Sequence, residues 1–580
     1  MEWTRGWLAF LVVLCALGKN VRTEDLPPPC DSNIYCTGEI LHHVQLAKIF
    51  SDDKHFVDMG LLDTPEKTIK KFQALLNSSS SGDVDRNQII QFLNTSFTNP
   101  GAEFKEWNPL DWNKSPKFLS QIADSKLRAW AADLNNLWKS LGRKISQDVK
   151  DHPELHSQIY VPNPIIVPGG RFREFYYWDS YWVINGLLLS EMYDTARGMI
   201  ENFLYIVDRY GFIPNGGRVY YLNRSQPPFL TLMMESYMNS QNNMTFLREK
   251  INLLKKEYDF WMTKRNISVE QNGKKYTLNR YYVPAGGPRP ESYSKDYELA
   301  VNLTAGADQS LYSELKAAAE SGWDFSSRWF FGSTNTLRDT KTSLMIPVEL
   351  NAILCRVERL MAKFYTDLNM PDEASKFSTA LNQRVEAVQA VLWDESLGIW
   401  LDYNTNNTSR NKNFYPTNLS PLWASCYTDT AVVEKAVSYL ETSGALSYQN
   451  GLPTSLKESG EQWDFPNAWP PLQHIVIEGL EKTQSKKAKD IAFSLAQKWV
   501  TVNYKAYDVY KAMFEKYNVE GDGKPGGGGE YDVQLGFGWT NGVIIQLLDL
   551  YGSRLTSSAA STTFSGLLFT LPILIITFWI

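Results

Sequence analysis

Charged side chains recur in this chain inside loops crowded with aromatics and glycine, a setting suited to gripping a polyhydroxylated ring. The densest is Pro168-Gly169-Gly170-Arg171-Phe172-Arg173-Glu174-Phe175-Tyr176-Tyr177-Trp178-Asp179-Ser180-Tyr181-Trp182. Glycines let the backbone turn sharply. Guanidinium forks present paired donors, and indole faces stack against apolar ring surfaces. Gln462 to Pro471 has the same make-up, stiffened by prolines, with Pro470 and Pro471 suited to a helix start. Asn215-Gly216-Gly217, Arg224-Ser225-Gln226 and Arg289-Pro290-Glu291 add further polar forks. The run Gly526 to Gly529 before Glu530 reads either as a lid that excludes water or as a solvated linker.

Other chemistries lack their residues. Among the six His no pair at metal-ligand spacing stands out, and no cysteine pair is of zinc type. The glycine run lacks the Lys-Ser/Thr ending of a phosphate loop, and no Gly-X-Ser-X-Gly elbow occurs. Neither metal nor cofactor is therefore expected. What remains is carboxylates in aromatic loops. Cleavage of a glycosidic bond needs two of them, one protonated to give its proton to the leaving oxygen and one ionised. By context the candidates are Glu174, Asp179, Asp324, Asp464, Glu515 and Glu530. The residues alone do not choose the pair, because each serves equally as a substrate ligand or a loop-shaping ion partner.

These loops need a scaffold, and the scaffold reads as helical. Apolar residues recur at three to four over Phe246 to Met262, Ile353 to Leu368, Ala374 to Leu392, Ala431 to Leu440 and Ala488 to Val500. That period predicts amphipathic helices. Alternating strand patterns are few and short, as in Tyr281 to Val283. The breaks between helices are of two kinds, short bland ones and long ones rich in Gly, Pro, Trp, Arg and Asp. The rich ones mostly precede a helical pattern. Antiparallel helix pairs put every second loop at one end of the molecule. A ring of such pairs, an all-α toroid, would gather the rich loops around one opening.

The 580 residues are 43% hydrophobic, enough for a packed core, and the net charge of -6 with no long basic run disfavours a nucleic-acid partner. Arg5 followed by the apolar run Trp7 to Leu17 reads as a secretory signal, residues 1–23. Residues 24–40 form an N-terminal lead-in and 41–552 a catalytic domain. At the other end, small residues from Ser557, a spacer and the apolar tail Leu567 to Ile580 form the pattern of a glycosylphosphatidylinositol signal. Residues 558–580 would be removed, leaving lipid on Ser557 or a neighbour and the protein on the outer face of the plasma membrane. Secretion gives meaning to the Asn-X-Ser/Thr acceptors, of which Asn77, Asn243 and Asn266 are taken as glycosylated. Cys30 and Cys36 are close enough to bridge, while Cys355 and Cys426 are expected to be free and buried. A second copy of the chain is left open as a partner.

PGGRFREFYYWDSYW and QWDFPNAWPP resemble the two signature segments of the trehalase family, glycoside hydrolase family 37. ESGWDFSSRW and GGGGEYDVQLGFGWTNG are similar to two more, and the likeness runs from about Leu41 to Tyr551. The resemblance implies an (α/α)6 barrel with long functional loops at one end, and hydrolysis of trehalose to two glucoses with inversion. It implies Asp324 as general acid and Glu515 as the base that activates water. It implies Arg171, Trp178, Asp179, Asn215, Arg224, Ser225, Gln226, Arg289, Pro290, Glu291, Gly322 and Glu530 as substrate contacts, and no glycan on Asn223 inside a substrate loop. The physical expectation is that Trp323 and Phe325 bury Asp324 and hold it neutral, while Glu515 stays more solvated and charged. An inverting pair stands about 6.5–9.5 Å apart to admit water. Two rival readings are another toroid enzyme, a lyase or a glycosidase for a different disaccharide, and a non-catalytic sugar-binding ectodomain.

Overall fold

A computed structural model describes residues 26–78, 84–304 and 306–557. Twelve helices build its body. In chain order they are α1 (Ser125–Leu141), α2 (Asp179–Leu189), α3 (Tyr193–Tyr210), α4 (Leu230–Gln241), α5 (Met244–Lys264) and α6 (Val348–Asp367), then α7 (Pro371–Ala387), α8 (Ser420–Ala424), α9 (Ala431–Thr442), α10 (Pro470–Glu481), α11 (Lys486–Tyr510) and α12 (Gly538–Tyr551). The even-numbered helices form an inner ring: α2 packs on α4, then α6, α8, α10 and α12 in turn, and α12 returns to α2. Behind them stand α3, α5, α7 and α11, each on its preceding inner helix, with α1 against α12. This closed double ring is the expected (α/α)6 barrel.

The two rings differ in sequence for a physical reason. Outer helices have water on one side, so α3 and α11 alternate polar and apolar faces. Inner helices have protein all round, and α2, α10 and α12 are buried on nearly every face. Glycine makes the tightest contact in that ring, where α2 crosses α12. A Cβ on Gly186 would lie 2.9 Å from Cα of Gly542, and one on Gly542 would lie 2.0 Å from the Trp182 carbonyl oxygen.

Four of the rich loops lead into the N-terminus of an inner helix, and the other two flank the helices between α5 and α6. Residues 168–178 lead into α2, 215–229 into α4, 462–469 into α10 and 522–537 into α12, while 283–293 and 320–329 precede α6. Six inner helices pointing the same way therefore deliver these loops to one end. Tyr281 to Val283 is not a strand; it is irregular, and the hairpin lies just before it, Asn266–Gln271 paired with Lys274–Asn279.

Residues before α1 form a cap with its own apolar core, which includes Ile40, Phe56, Phe92 and Phe97 and reaches Tyr176, Tyr220 and Tyr221 of the rich loops. Ionic side chains seal the joint. Lys54 Nζ lies 2.6 Å from Asp58 and 2.8 Å from Glu174, and Arg218 Nε lies 3.2 Å from Glu174. All four are buried. Two disulfides are present, Cys30–Cys36 and Cys355–Cys426. The second corrects the expectation of free thiols: α6 and the turn after α8 adjoin in the inner ring, bringing residues 71 apart in sequence to a Cα separation of 5.9 Å. The signal and lipid-signal segments lie outside the described residues. Ser557 is the last one described, its N–H and hydroxyl both donating to Asp124.

Candidate active site

The converging loops line one cavity, rich in charged and aromatic side chains. Arg171, Trp178, Asp179, Asn215, Arg224, Gln226, Arg289, Glu291, Gly322, Asp324, Glu515 and Glu530 all line it. Ser225 and Pro290 do not. Ser225 is wholly buried behind the wall, its N–H donating to Glu320 and its hydroxyl to the Ile213 carbonyl. Pro290 opens a 3₁₀ turn, and its carbonyl accepts from Gln45. Of the six carboxylate candidates two also stand elsewhere. Glu174 belongs to the ionic joint with the cap. Asp464 accepts from Ser326 Oγ, the Ser327 N–H and Ser455 Oγ, and so ties the loop after Asp324 to the loop before α10.

Asp324 follows the helix Ala307–Glu320 after a turn at Gly322. That turn demands glycine twice over: φ is +79°, and a Cβ would sit 2.7 Å from Cζ2 of Trp178. The Asp324 carboxyl opens on the cavity, and the residue is half-buried. Burial pushes its pKa up to about 7, the nearby Arg289 opposes the rise, and Glu530 adds to it. Near neutrality it can carry a proton and give it up, as a general acid must.

Glu515 lines the same cavity, in the segment before the glycine run. Its N–H donates to the Gln534 carbonyl, and its own carbonyl accepts from Trp539 Nε1 at 3.1 Å. Oε1 accepts from Tyr531 at 3.0 Å. Oε2 is buried, has no hydrogen-bond partner among the described residues, and stands 3.9 Å from Lys516 Nζ. The expectation of a more solvated base is corrected here, since Glu515 is only 2% exposed. Burial raises its pKa, and Lys516, the Tyr531 hydrogen bond and Arg171 offset part of that rise. Protein groups thus take up part of the work assigned to water. Asp179, in the first turn of α2, feels both Glu515 and Asp324; burial raises its pKa well above the ordinary carboxylate value, a backbone hydrogen bond opposes this, and the two charges add to the rise.

The remaining wall is built to meet hydroxyls. Arg224 Nη2 donates to Glu291 at 2.6 Å, leaving its Nε and Nη1 and Glu291 Oε2 without partners among the described residues. Arg289 is held by Asp296 and also reaches Glu530 at 3.0 Å. Trp463 stacks on Trp469 at 3.8 Å, nearly parallel, and on Trp323 at 5.3 Å. The glycine run is no loose linker: the Gly526 N–H donates to the Lys516 carbonyl, Gly527 exchanges hydrogen bonds with Asn467, and Glu530 and Tyr531 follow over the cavity.

Sequence reasoning missed several members. Tyr531 and Trp539 lie inside quoted motifs, so their aromatic character was the available signal. Asp52 carried none. It comes from the cap and clasps Arg171 with two hydrogen bonds of 2.6 and 2.7 Å, while Arg171 lies over the Tyr531 ring.

Comparison with known proteins agrees with this geometry. The family model described as Trehalase matches residues 48–552. The chain is 54% identical to a trehalase of Homo sapiens, covering 96% of this chain and 95% of that protein. It is 48% identical to a trehalase of Apis mellifera, covering 95% and 88%. Among solved structures it is similar to a neutral trehalase of Saccharomyces cerevisiae, with a TM-score of 0.54 and 28% identity over 66% of this chain and 73% of that one.

Proposed function

The chain belongs to the trehalase family and hydrolyses trehalose to glucose, and we propose that it does so by inversion, with Asp324 as general acid and Glu515 as general base. The observation that carries the reading is the pairing of two carboxyls in one cavity. One has its pKa raised to about 7, and the other has an oxygen with no hydrogen-bond partner among the described residues, beside a cation. Trehalose joins two glucoses through both anomeric carbons. Asp324 gives its proton to the linking oxygen as that carbon–oxygen bond breaks. A water attacks the same carbon from the opposite face, and Glu515 Oε2 takes the water's proton. One sugar leaves with its α-configuration retained, and the attacked one becomes β. Arg224, Glu291, Arg289 and Asp179 fix hydroxyls. NMR of early product tests this. Equal α- and β-glucose is expected, and α-glucose alone rules inversion out.

The same reading takes the protein to be secreted and lipid-anchored. Two disulfides and exposed Asn77 and Asn266 support it. Asn243 is half-buried and caps α5 through its side chain. Asn223 has its amide nitrogen engaged by the Pro29 and Tyr220 carbonyls, and Asn418 is buried, so neither suits a glycan. The course of α12 gives the anchor a direction. Its first turn contributes Trp539 to the cavity wall, and its 14 residues run about 21 Å away from the mouth. An anchor after Ser557 therefore points the mouth away from the membrane. Release of cell-bound activity by a phosphatidylinositol-specific phospholipase is the expected result; activity that stays with the cells argues against the anchor.

A further inference from the structure

Lys516 is the residue next to the base, and it is wholly buried with its stem against aromatics. Its ammonium lies 4.9 Å from the centre of the Trp469 ring and 5.5 Å from that of Tyr531. It donates to Gln462 Oε1 at 2.6 Å. Gln462 in turn donates from Nε2 to the Asp324 carbonyl oxygen at 2.5 Å. One continuous path of hydrogen bonds therefore runs from beside the base to the backbone of the acid. Two rings clamp it, and Trp469 Nε1 donates to the Gln462 carbonyl at 2.9 Å. A buried cation costs several kcal/mol of desolvation and is retained only where charges repay it. The carboxylates that act on Lys516 are Glu515 and Asp324, the two reacting groups themselves.

We propose that Lys516 is the positioning residue of the reaction: its fixed positive charge keeps Glu515 ionised, and its bridge through Gln462 ties that charge to the acid. The proposal rests on Asp324 and Glu515 being the catalytic pair. Glu515 is faced by Lys516, by Tyr531 and Arg171, and by the carboxyls of Asp179 and Asp324. Arg171 is already engaged by Asp52. Lys516 is thus the one cation beside the base with no carboxylate hydrogen-bonded to it among the described residues. Burial alone would protonate Glu515 and lose the base, and Lys516 is the first opposing influence.

The experiment is the pH dependence of kcat/KM for Lys516→Gln and Lys516→Arg with trehalose, beside Glu515→Gln. Lys516→Gln keeps a group able to meet Gln462 but removes the charge. Its acidic limb is expected to move up by about 1–3 pH units, narrowing the profile against the alkaline limb that Asp324 sets near pH 7 and lowering the peak. Lys516→Arg keeps the charge and leaves the limb in place. A Lys516→Gln variant that loses the same factor at every pH, with the limb unmoved, overturns the proposal. Glu515→Gln tests the underlying reading separately, since retained activity there removes the base whatever Lys516 does. Thermal melting supplies a second measurement should Lys516→Gln fold poorly. Charge coupling makes Lys516→Gln/Glu515→Gln more stable than Lys516→Gln alone, and strict additivity of the two changes refutes it.

Discussion

Glu530→Gln offers the sharpest check on how the acid is tuned. Glu530 shares Arg289 with Asp296, so one guanidinium meets two carboxylates, and Asp324 stands beside this trio. The wild-type trio has a net charge of -1 and the variant trio is neutral. Asp324 loses a negative neighbour that raised its pKa, while Arg289, which lowers it, keeps its full charge. Both changes act in one direction. A unit charge on the order of 8 Å away at an effective dielectric near 20 is worth about 2 kcal/mol, or about 1.5 pH units. Water entering the cavity screens part of this, so a fall of about 1 unit is expected from a starting value of about 7. The acid must be protonated to act, so this pKa sets the alkaline limb of kcat/KM. The limb should descend from about pH 7 to about pH 6. KM should rise as well, because Glu530 lines the cavity. A limb that stays fixed or moves to higher pH refutes the assignment of Glu530 as the charge that lifts Asp324.

Other consequences follow from the same geometry. Asp324→Asn should lower kcat by about 10²–10⁴ while the melting temperature holds, because it removes a proton donor without changing shape; stopped assays and calorimetry check both halves. Gly322→Ala should cost about 1–3 kcal/mol in stability and cut kcat/KM at least tenfold, since its Cβ displaces Trp178 and a positive φ is strained; denaturant unfolding with kinetics reads this. Cys355→Ser should destabilise by about 4 kcal/mol in the chain-entropy account of a 71-residue loop, with KM for trehalose unchanged because the bridge lies outside the cavity wall.

How far the sequence foretold the fold depended on which ring a helix occupies. Three of the five periodic stretches noted from sequence, those in α5, α7 and α11, fall in outer helices, where water enforces a polar face. In the inner helices α2, α4 and α12 a 3.6-residue period is weak, and only their leading loops betrayed them. Cys355 and Cys426 looked unpaired because nothing in a linear chain says that α6 and α8 are neighbours. Glu174 and Asp464 looked catalytic because aromatics surround them in sequence. In space the same surroundings make them buried struts, held by Lys54 and Arg218 in one case and by serine hydroxyls in the other.

The site itself was legible as a set of residue types and illegible as a set of charges. A loop sequence can show that an aspartate lies between tryptophan and phenylalanine, and so that Asp324 is partly buried. It cannot show which charges that burial is set against, because these come from separated segments: Arg289 before α6, Glu530 before α12, Asp52 from the cap, which reaches Glu515 through Arg171. This is why the base was expected in a wet environment and stands in a dry one. Water would hold Glu515 ionised but would also relax around it and dilute every field in the cavity. Lys516, Tyr531 and Arg171 hold it with groups already in place before substrate binds, and a fixed field needs no reorganisation when the proton moves. The cap and the lid thus belong to the catalytic apparatus as much as the ring does, since removing either takes away a partner of Arg171 and leaves the base to the penalty of its own burial.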